Sequence, residues 1–187
     1  MLTAMTLDHD LRRAADVAVA YAGPEEELAA VIPTESAGAG RVYLCAYAAG
    51  EAKSWLALDA DRAPVSDRRV LRGAVSIAAM CELAEETAGG GHLPELRAEL
   101  EELRRTENPE GIDEAEAAIE ELERLIGDQL RIASPAYLDD VGVATRRLEQ
   151  ALGESGASPF LEAMKQAGLT IDGLAADIES HYKMPLE

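Results

Sequence analysis

Apolar residues return every three or four positions between Leu7 and Val19, which predicts an amphipathic N-terminal helix. Gly23 is expected to end this helix, and Pro24 to occupy the first turn of a short second one. Three glutamates follow Pro24, and their charges favour the start of a helix. Pro33 is expected to end the second helix, and residues 34–40 are expected to form a loop.

Residues 41–59 alternate in the manner of two short β-strands. Leu44 and Cys45 fall on opposite faces of the first strand, and Trp55 and Leu56 on opposite faces of the second. The pattern predicts an antiparallel β-hairpin. Both of its faces are apolar, so the hairpin must lie against helices, gain a third strand or pair with another subunit.

The longest helical patterns follow the hairpin. The pattern over residues 67–88 predicts a central buried helix, because the stretch from Gly73 to Cys81 is apolar on every side. Ser66 is expected to be its N-cap. Residues 92–133 carry apolar positions in alternating steps of three and four, interrupted by a turn. This spacing predicts an antiparallel αα-hairpin with a coiled-coil-like seam.

Residues 134–187 contain the start signals of three further helices. Ser134 and Ser158 each precede a proline, and Thr170 is expected to cap a last helix with Leu174, Ile178 and Tyr182 on one face. Together the patterns predict a single domain over residues 1–187. Its class is α+β and predominantly α-helical, with seven or eight helices and one small N-terminal β-hairpin.

Charge limits the classes of partner. The chain carries 36 acidic and 17 basic residues, a net charge of −19, and residues 67–133 alone contribute −9. Such a surface repels nucleic acids and anionic membranes. The sequence predicts a cytoplasmic protein for three reasons. Its two cysteines are isolated, it has no apolar run long enough to span a bilayer, and it has no signal-peptide pattern.

An acidic cluster is the main candidate for chemistry. Glu82, Glu85 and Glu86 lie at helical spacings that place three carboxylates near one face, where they could hold Mg²⁺ or Mn²⁺. The sequence ELAEE resembles half of the metal site of the all-α MazG-type nucleotide pyrophosphatases, which pair ExxE on one helix with ExxD on the next. Here ExxD occurs at Glu110–Asp113, near the predicted turn of the αα-hairpin. Asp139 and Asp140 are an alternative second pair.

Two other patterns suggest candidate sites. The segment FLEAMKQAGLTIDGLAADI resembles the first two helices of repressor-type helix-turn-helix domains, which implies DNA binding as a remote alternative. Residues 154–187, however, contain six acids against two lysines, whereas DNA binding favours a basic face. His9, His92 and His181 share no metal-ligand spacing.

Two functional hypotheses follow. The first is a non-enzymatic protein-interaction or assembly module that needs no cofactor and binds a partner with a basic surface, or itself as a homodimer. The second is a hydrolase of a nucleotide or another phosphorylated small molecule, which would use Mg²⁺ or Mn²⁺ at Glu82, Glu85 and Glu86. No signature of nucleophilic catalysis is present, so the first hypothesis is favoured.

Overall fold

The computed structural model describes residues 4–36, 38–88, 93–104, 109–128, 131–153 and 158–187. Within these ranges the protein has seven helices and one three-stranded antiparallel sheet, which confirms the predicted α+β, mainly helical class. The helices are α1 (Ala4–Val19), α2 (Arg68–Thr87), α3 (Leu93–Leu103), α4 (Pro109–Gly127), α5 (Pro135–Ala151), α6 (Pro159–Gln166) and α7 (Gly168–Ser180). The strands are β1 (Glu27–Ser36), β2 (Gly40–Ala49) and β3 (Ala52–Leu58).

The chain divides into two compact units, each of which is discontinuous in sequence. Unit 1 comprises residues 1–79, 130–134 and 169–187, and unit 2 comprises residues 80–129 and 135–168. The first part of α2 therefore belongs to unit 1 and the remainder to unit 2. The single domain expected from chain length stays a prediction.

Helices cover both faces of the sheet in unit 1. Strands β2 and β3 form the predicted hairpin, with Cys45 opposite Leu56. One face packs in a core with α1 and the other in a core with α2 and α7. The first core comprises Ala14, Ala18, Tyr43, Cys45, Tyr47, Leu56 and Leu58. The second comprises Val42, Leu44, Ala57, Val65, Leu71, Ala74, Val75, Ala175 and Ile178. The apolar character of both hairpin faces is thereby explained.

Strand β1 corrects the sequence prediction. The sequence predicted a short helix from Pro24 to Pro33 and a loop over residues 34–40, but residues 27–36 form one strand paired with β2. Val31 and Ile32 are β-branched and face opposite cores, which favours the extended state. Pro33 is tolerated because β1 is an edge strand, where a missing N–H breaks no ladder bond.

Both outer edges of the sheet carry backbone hydrogen bonds from distant segments. On β1, Ala133 accepts from the Glu35 N–H (2.8 Å) and donates to the Pro33 carbonyl (2.9 Å), an arrangement that we call the Ala133 clip. On β3, Trp55 donates to the His181 carbonyl (3.0 Å) and accepts from the Lys183 N–H (2.9 Å), which we call the tail clip. Each clip engages part of one edge, which limits the length of strand that could pair there with another chain.

Some helix boundaries differ from the predicted ones. Helix α2 begins at Arg68, and the Asp67 carboxylate, not Ser66, accepts the Arg69 N–H at 2.8 Å. Helix α7 begins at Gly168 rather than after Thr170. It ends at Ser180, so Tyr182 lies beyond the helix and pairs with Trp55. Ser158 caps α6 as predicted, since its hydroxyl accepts the Leu161 N–H at 3.3 Å.

Unit 2 is built from helices alone in its described residues. The αα-hairpin predicted over residues 92–133 is only roughly matched: α3 and α4 lie within it, but α4 ends at Gly127 and Ala133 bonds to β1 instead. Part of the turn between the two helices lies outside the described residues. Helix α4 also packs against α5, and α5 against α6. Gly142 permits the second approach, because a Cβ there would lie 3.2 Å from Cε1 of Phe160. Among the described helices, none has the length and apolar character needed to cross a bilayer.

Candidate interaction surface

The apolar positions predicted from helical spacing form the interior of unit 2. Leu93 and Leu100 of α3 are buried, as are Ile119 and Leu122 of α4. Val141, Ala144 and Leu148 provide the inner face of α5. With its apolar side chains inside, the unit presents mainly charged residues to solvent.

Arginines join neighbouring helices across this surface. Arg97 of α3 contacts Glu123 of α4 at 2.7 Å. Arg104, just after α3, contacts Asp113 at 2.9 Å and Glu116 at 2.6 Å. On the other side of α4, Arg147 of α5 contacts Glu114 at 2.7 Å. Helix α4 is therefore linked by ion pairs to both α3 and α5.

The remaining cations of unit 2 are largely paired within single helices. Arg124 contacts Glu121 at 2.6 Å, and this hydrogen-bonded guanidinium lowers the pKa of the Glu121 carboxyl. Lys165 contacts Glu162 at 2.9 Å. Of the six basic side chains that the structure describes in unit 2, only Arg146 makes no ion pair. Basic side chains therefore offer little free positive charge to a ligand.

The two units differ sharply in charge. Unit 2 contains 21 acidic and 7 basic residues, a net charge of −14. Unit 1 is longer, yet its 15 acidic and 10 basic residues give only −5. Most of the negative charge of the chain is thus concentrated in the helical unit.

Some of this excess is exposed on adjoining helices. Glu120 on α4 and Asp139 and Asp140 on α5 are exposed and form no ion pair within the described residues; we call these three residues the α4–α5 acidic face. Arg124, one turn after Glu120, is within electrostatic range of Asp140. Val143 follows Asp139 and Asp140 by one turn of α5, and 48% of it is exposed. The α4–α5 acidic face therefore combines negative charge with a neighbouring exposed apolar side chain.

The proposed metal ligands occupy different environments. Glu85 is partly buried, and its carboxylate accepts a hydrogen bond from the Tyr137 hydroxyl at 3.0 Å. Glu82 and Glu86 are exposed on the same helix. Within the described ranges, no three His, Cys, Asp or Glu side chains are grouped as a metal ion would require. The metal site at Glu82, Glu85 and Glu86, with Asp139 and Asp140 as a second pair, stays a prediction without added support.

The motifs behind the alternatives gain no supporting geometry. Asp113 of the ExxD sequence pairs with Arg104. Helices α6 and α7 are separated by Ala167 alone, whereas a helix-turn-helix has a turn of about three or four residues. His181 is exposed, with its Nδ1 2.9 Å from the Ser180 hydroxyl and 3.0 Å from the Asp177 carbonyl. His92 lies outside the described residues.

Sequence patterns missed a polar cluster in unit 1. The Glu26 carboxylate accepts hydrogen bonds from the Gly23 N–H (2.6 Å) and the Ser54 hydroxyl (2.6 Å), and it pairs with Lys183. These bonds, Lys183 foremost, lower the pKa of Glu26 to about 2. Lys183 also lies 4.5 Å from the centre of the Tyr47 ring. The partners are far apart in sequence, so no local signal identifies this cluster, which fastens the C-terminal segment.

Buried hydroxyl and thiol groups in unit 1 are also structural. Burial raises the pKa of the Cys45 thiol to about 12, which removes its thiolate at neutral pH. Burial likewise raises the pKa of Tyr182 to about 12. The Tyr182 hydroxyl accepts the Ala57 N–H at 3.0 Å and donates to the Val65 carbonyl at 2.7 Å. It therefore substitutes for a backbone partner at the edge of β3.

Comparisons with known proteins give no family assignment. No protein-family model matches the chain, and no significant match was found among curated proteins or solved structures. The residues and their geometry are therefore the basis for the functional proposal.

Proposed function

We propose that this protein is a non-enzymatic interaction module whose helical unit 2 binds a basic segment of a partner protein. The observation that carries the proposal is the concentration of charge, with −14 of the net −19 in unit 2. Ion pairing already engages five of the six described basic side chains there. Uncompensated charge of one sign attracts and orients a partner of the opposite sign.

The α4–α5 acidic face is the part of unit 2 best suited to this contact. Its three carboxylates can receive lysine or arginine side chains, and Val143 beside them can cover one apolar residue. A partner segment with basic residues flanking an apolar one fits this arrangement. Exposed ion pairs give modest affinity, so we expect reversible binding that weakens with salt.

Self-association is the other form of interaction predicted from the sequence. The observed three-stranded sheet gives less reason to expect self-association than the predicted two-stranded hairpin did. Helices cover both faces of the sheet, and the two clips engage both of its edges. The homodimer stays a prediction, and light scattering over a range of protein concentrations tests it. A single monomeric mass at every concentration would contradict the homodimer. Binding to a separate basic partner would then be the only form of interaction proposed.

The test is a calorimetric titration with a synthetic amphipathic peptide of lysine and leucine. One variant neutralises exposed acids of unit 2: Glu82→Gln, Glu86→Gln, Glu120→Gln, Asp139→Asn and Asp140→Asn. The matched control neutralises the same number of exposed acids in unit 1: Glu25→Gln, Glu27→Gln, Glu51→Gln, Asp16→Asn and Asp61→Asn. Both variants have the same net charge.

We expect the unit 2 variant to bind about tenfold more weakly, roughly 1.4 kcal/mol, and the unit 1 variant to remain within about twofold of wild type. Wild-type affinity should fall as NaCl rises from about 50 mM to about 300 mM. Equal weakening in both variants would mean that only total charge matters, and would contradict a binding site in unit 2. A glutamate-for-lysine version of the peptide should not bind.

A further inference from the structure

The chain returns from unit 2 to unit 1 twice, and each returning segment reaches one edge of the sheet. The first return is residues 130–134, in which Ala133 forms the clip on β1. The second is residues 169–187, which form the tail clip on β3. The two clips are similar in hydrogen bonding, since each consists of one donated and one accepted backbone bond.

The clips differ in how closely the chain ties them to unit 2. Ala133 is two residues before Pro135, where α5 begins. His181 and Lys183, in contrast, follow the whole of α7, which is held in the core of unit 1 by Ala175 and Ile178. Ser134 alone, which we call the tether, therefore separates Ala133 from α5 in the chain, whereas the whole of α7 separates the tail clip from α6.

The amide of Glu35 reports on the first clip. Its N–H donates to the Ala133 carbonyl at 2.8 Å, while the Glu35 residue itself is exposed. When the clip opens, this N–H loses its acceptor and can exchange with solvent. The Trp55 N–H, which donates to the His181 carbonyl at 3.0 Å, reports on the tail clip in the same way.

We infer that the Ala133 clip is a conformational device that responds to occupation of unit 2, an inference that rests on the proposed function. The net charge of −14 makes unit 2 repel itself, and a bound basic segment relieves that repulsion. Helix α5 then moves less. Its motion, which Ser134 transmits to Ala133, therefore disrupts the hydrogen bonds of the clip less often. The clip has two states, open and closed, and binding favours the closed one.

Amide exchange measured by NMR tests the inference, with the lysine–leucine peptide as the probe. We expect saturation with peptide to slow exchange at Glu35 by about threefold or more and to leave Trp55 unchanged. Binding without a change at Glu35 overturns the clip device alone. An equal change at Trp55 also overturns it, because stabilisation would then be global. Absence of peptide binding overturns both proposals.

Two variants separate the clip from its tether. Ala133→Pro removes the N–H that donates to Pro33, so Glu35 should exchange faster in the free protein and lose its response to peptide. Insertion of two glycines between Ser134 and Pro135 keeps the clip but lengthens the tether. The inserted protein should bind peptide as tightly as wild type. In the free inserted protein, however, Glu35 should already exchange about as slowly as in peptide-saturated wild type, so that peptide produces no further change. A retained response in this variant overturns the proposed route.

Discussion

Units 1 and 2 use charged side chains in different ways. In unit 1, Arg62 contacts Asp10 at 2.7 Å and Lys183 pairs with Glu26, and all four side chains are largely buried. In unit 2 the described ion pairs lie on the surface, some between neighbouring helices and some within one helix. Half-buried pairs between distant residues fix the position of chain segments, whereas exposed pairs contribute little stability and leave the field of the excess acids in place.

Removing a core side chain from each unit should have the largest effect. Leu56 in unit 1 and Leu122 in unit 2 are fully buried, so substitution of either by Ala should lower the free energy of unfolding by about 2–5 kcal/mol. Urea unfolding can be followed by the fluorescence of Trp55, which reports on unit 1, and by circular dichroism, which reports on all helices. Coincident transitions in both variants would support the predicted single domain; separate transitions would contradict it.

The tail of unit 1 provides a sharper test. Tyr182→Phe removes the hydroxyl that accepts the Ala57 N–H and donates to the Val65 carbonyl. Two backbone groups lose a partner, so the free energy of unfolding should fall by about 1–3 kcal/mol in urea titrations monitored by Trp55 fluorescence. His181→Ala, at an exposed neighbour, is the control and should change it by less than about 0.5 kcal/mol. Similar values for both variants would show that the hydroxyl has no such role.

The lowered pKa of Glu26 predicts how the free energy of unfolding depends on pH. Its folded-state pKa is lowered to about 2 from the ordinary 4.5, so its stabilisation is present above pH 4.5 and is lost as pH falls through about 2. In urea titrations between these pH values, wild type should lose more stability than Glu26→Gln, which has no carboxyl to protonate. Glu25→Gln, at an exposed neighbour, should follow wild type. Parallel curves for wild type and Glu26→Gln would contradict the role of this carboxylate.

The smallest expected effect concerns repulsion in unit 2. The variant with five neutralised acids there should be more stable than wild type by about 0.5–1 kcal/mol at low salt, because like charges on helices repel. This gain should shrink at about 300 mM NaCl, where screening weakens the repulsion in both proteins. Thermal melts at the two salt concentrations provide the measurement. A similar gain in the unit 1 control variant would remove the contrast between the units.

Local patterns predicted the presence of the helices of unit 2, though not the end of α4, because each buries one face that can be read from its spacing. They failed at β1, where the glutamates after Pro24 favour a helix start but Glu26 is held by Ser54 and Lys183. They also failed at Tyr182, which pairs with Trp55 across the sheet edge. The conformation of both segments is determined by contacts with residues far away in the sequence.

The same limit applies to the candidate sites. Arg68 and Arg72 at the start of α2 oppose its dipole, a feature without a local reason; both pair with Glu179 of α7. Spacing brought Glu82, Glu85 and Glu86 to one helix, but it could not show that Tyr137 engages Glu85. The concentration of charge in unit 2 emerges only once the discontinuous segments of each unit are known.

The most direct test of a binding site in unit 2 is chemical-shift mapping on labelled protein during titration with the lysine–leucine peptide. We expect saturable shifts centred on the amides of Glu120, Asp139, Asp140 and Val143, and small changes along the sheet. Shifts spread over exposed acids of both units, without saturation, would contradict the proposal and reduce the interaction to general charge attraction.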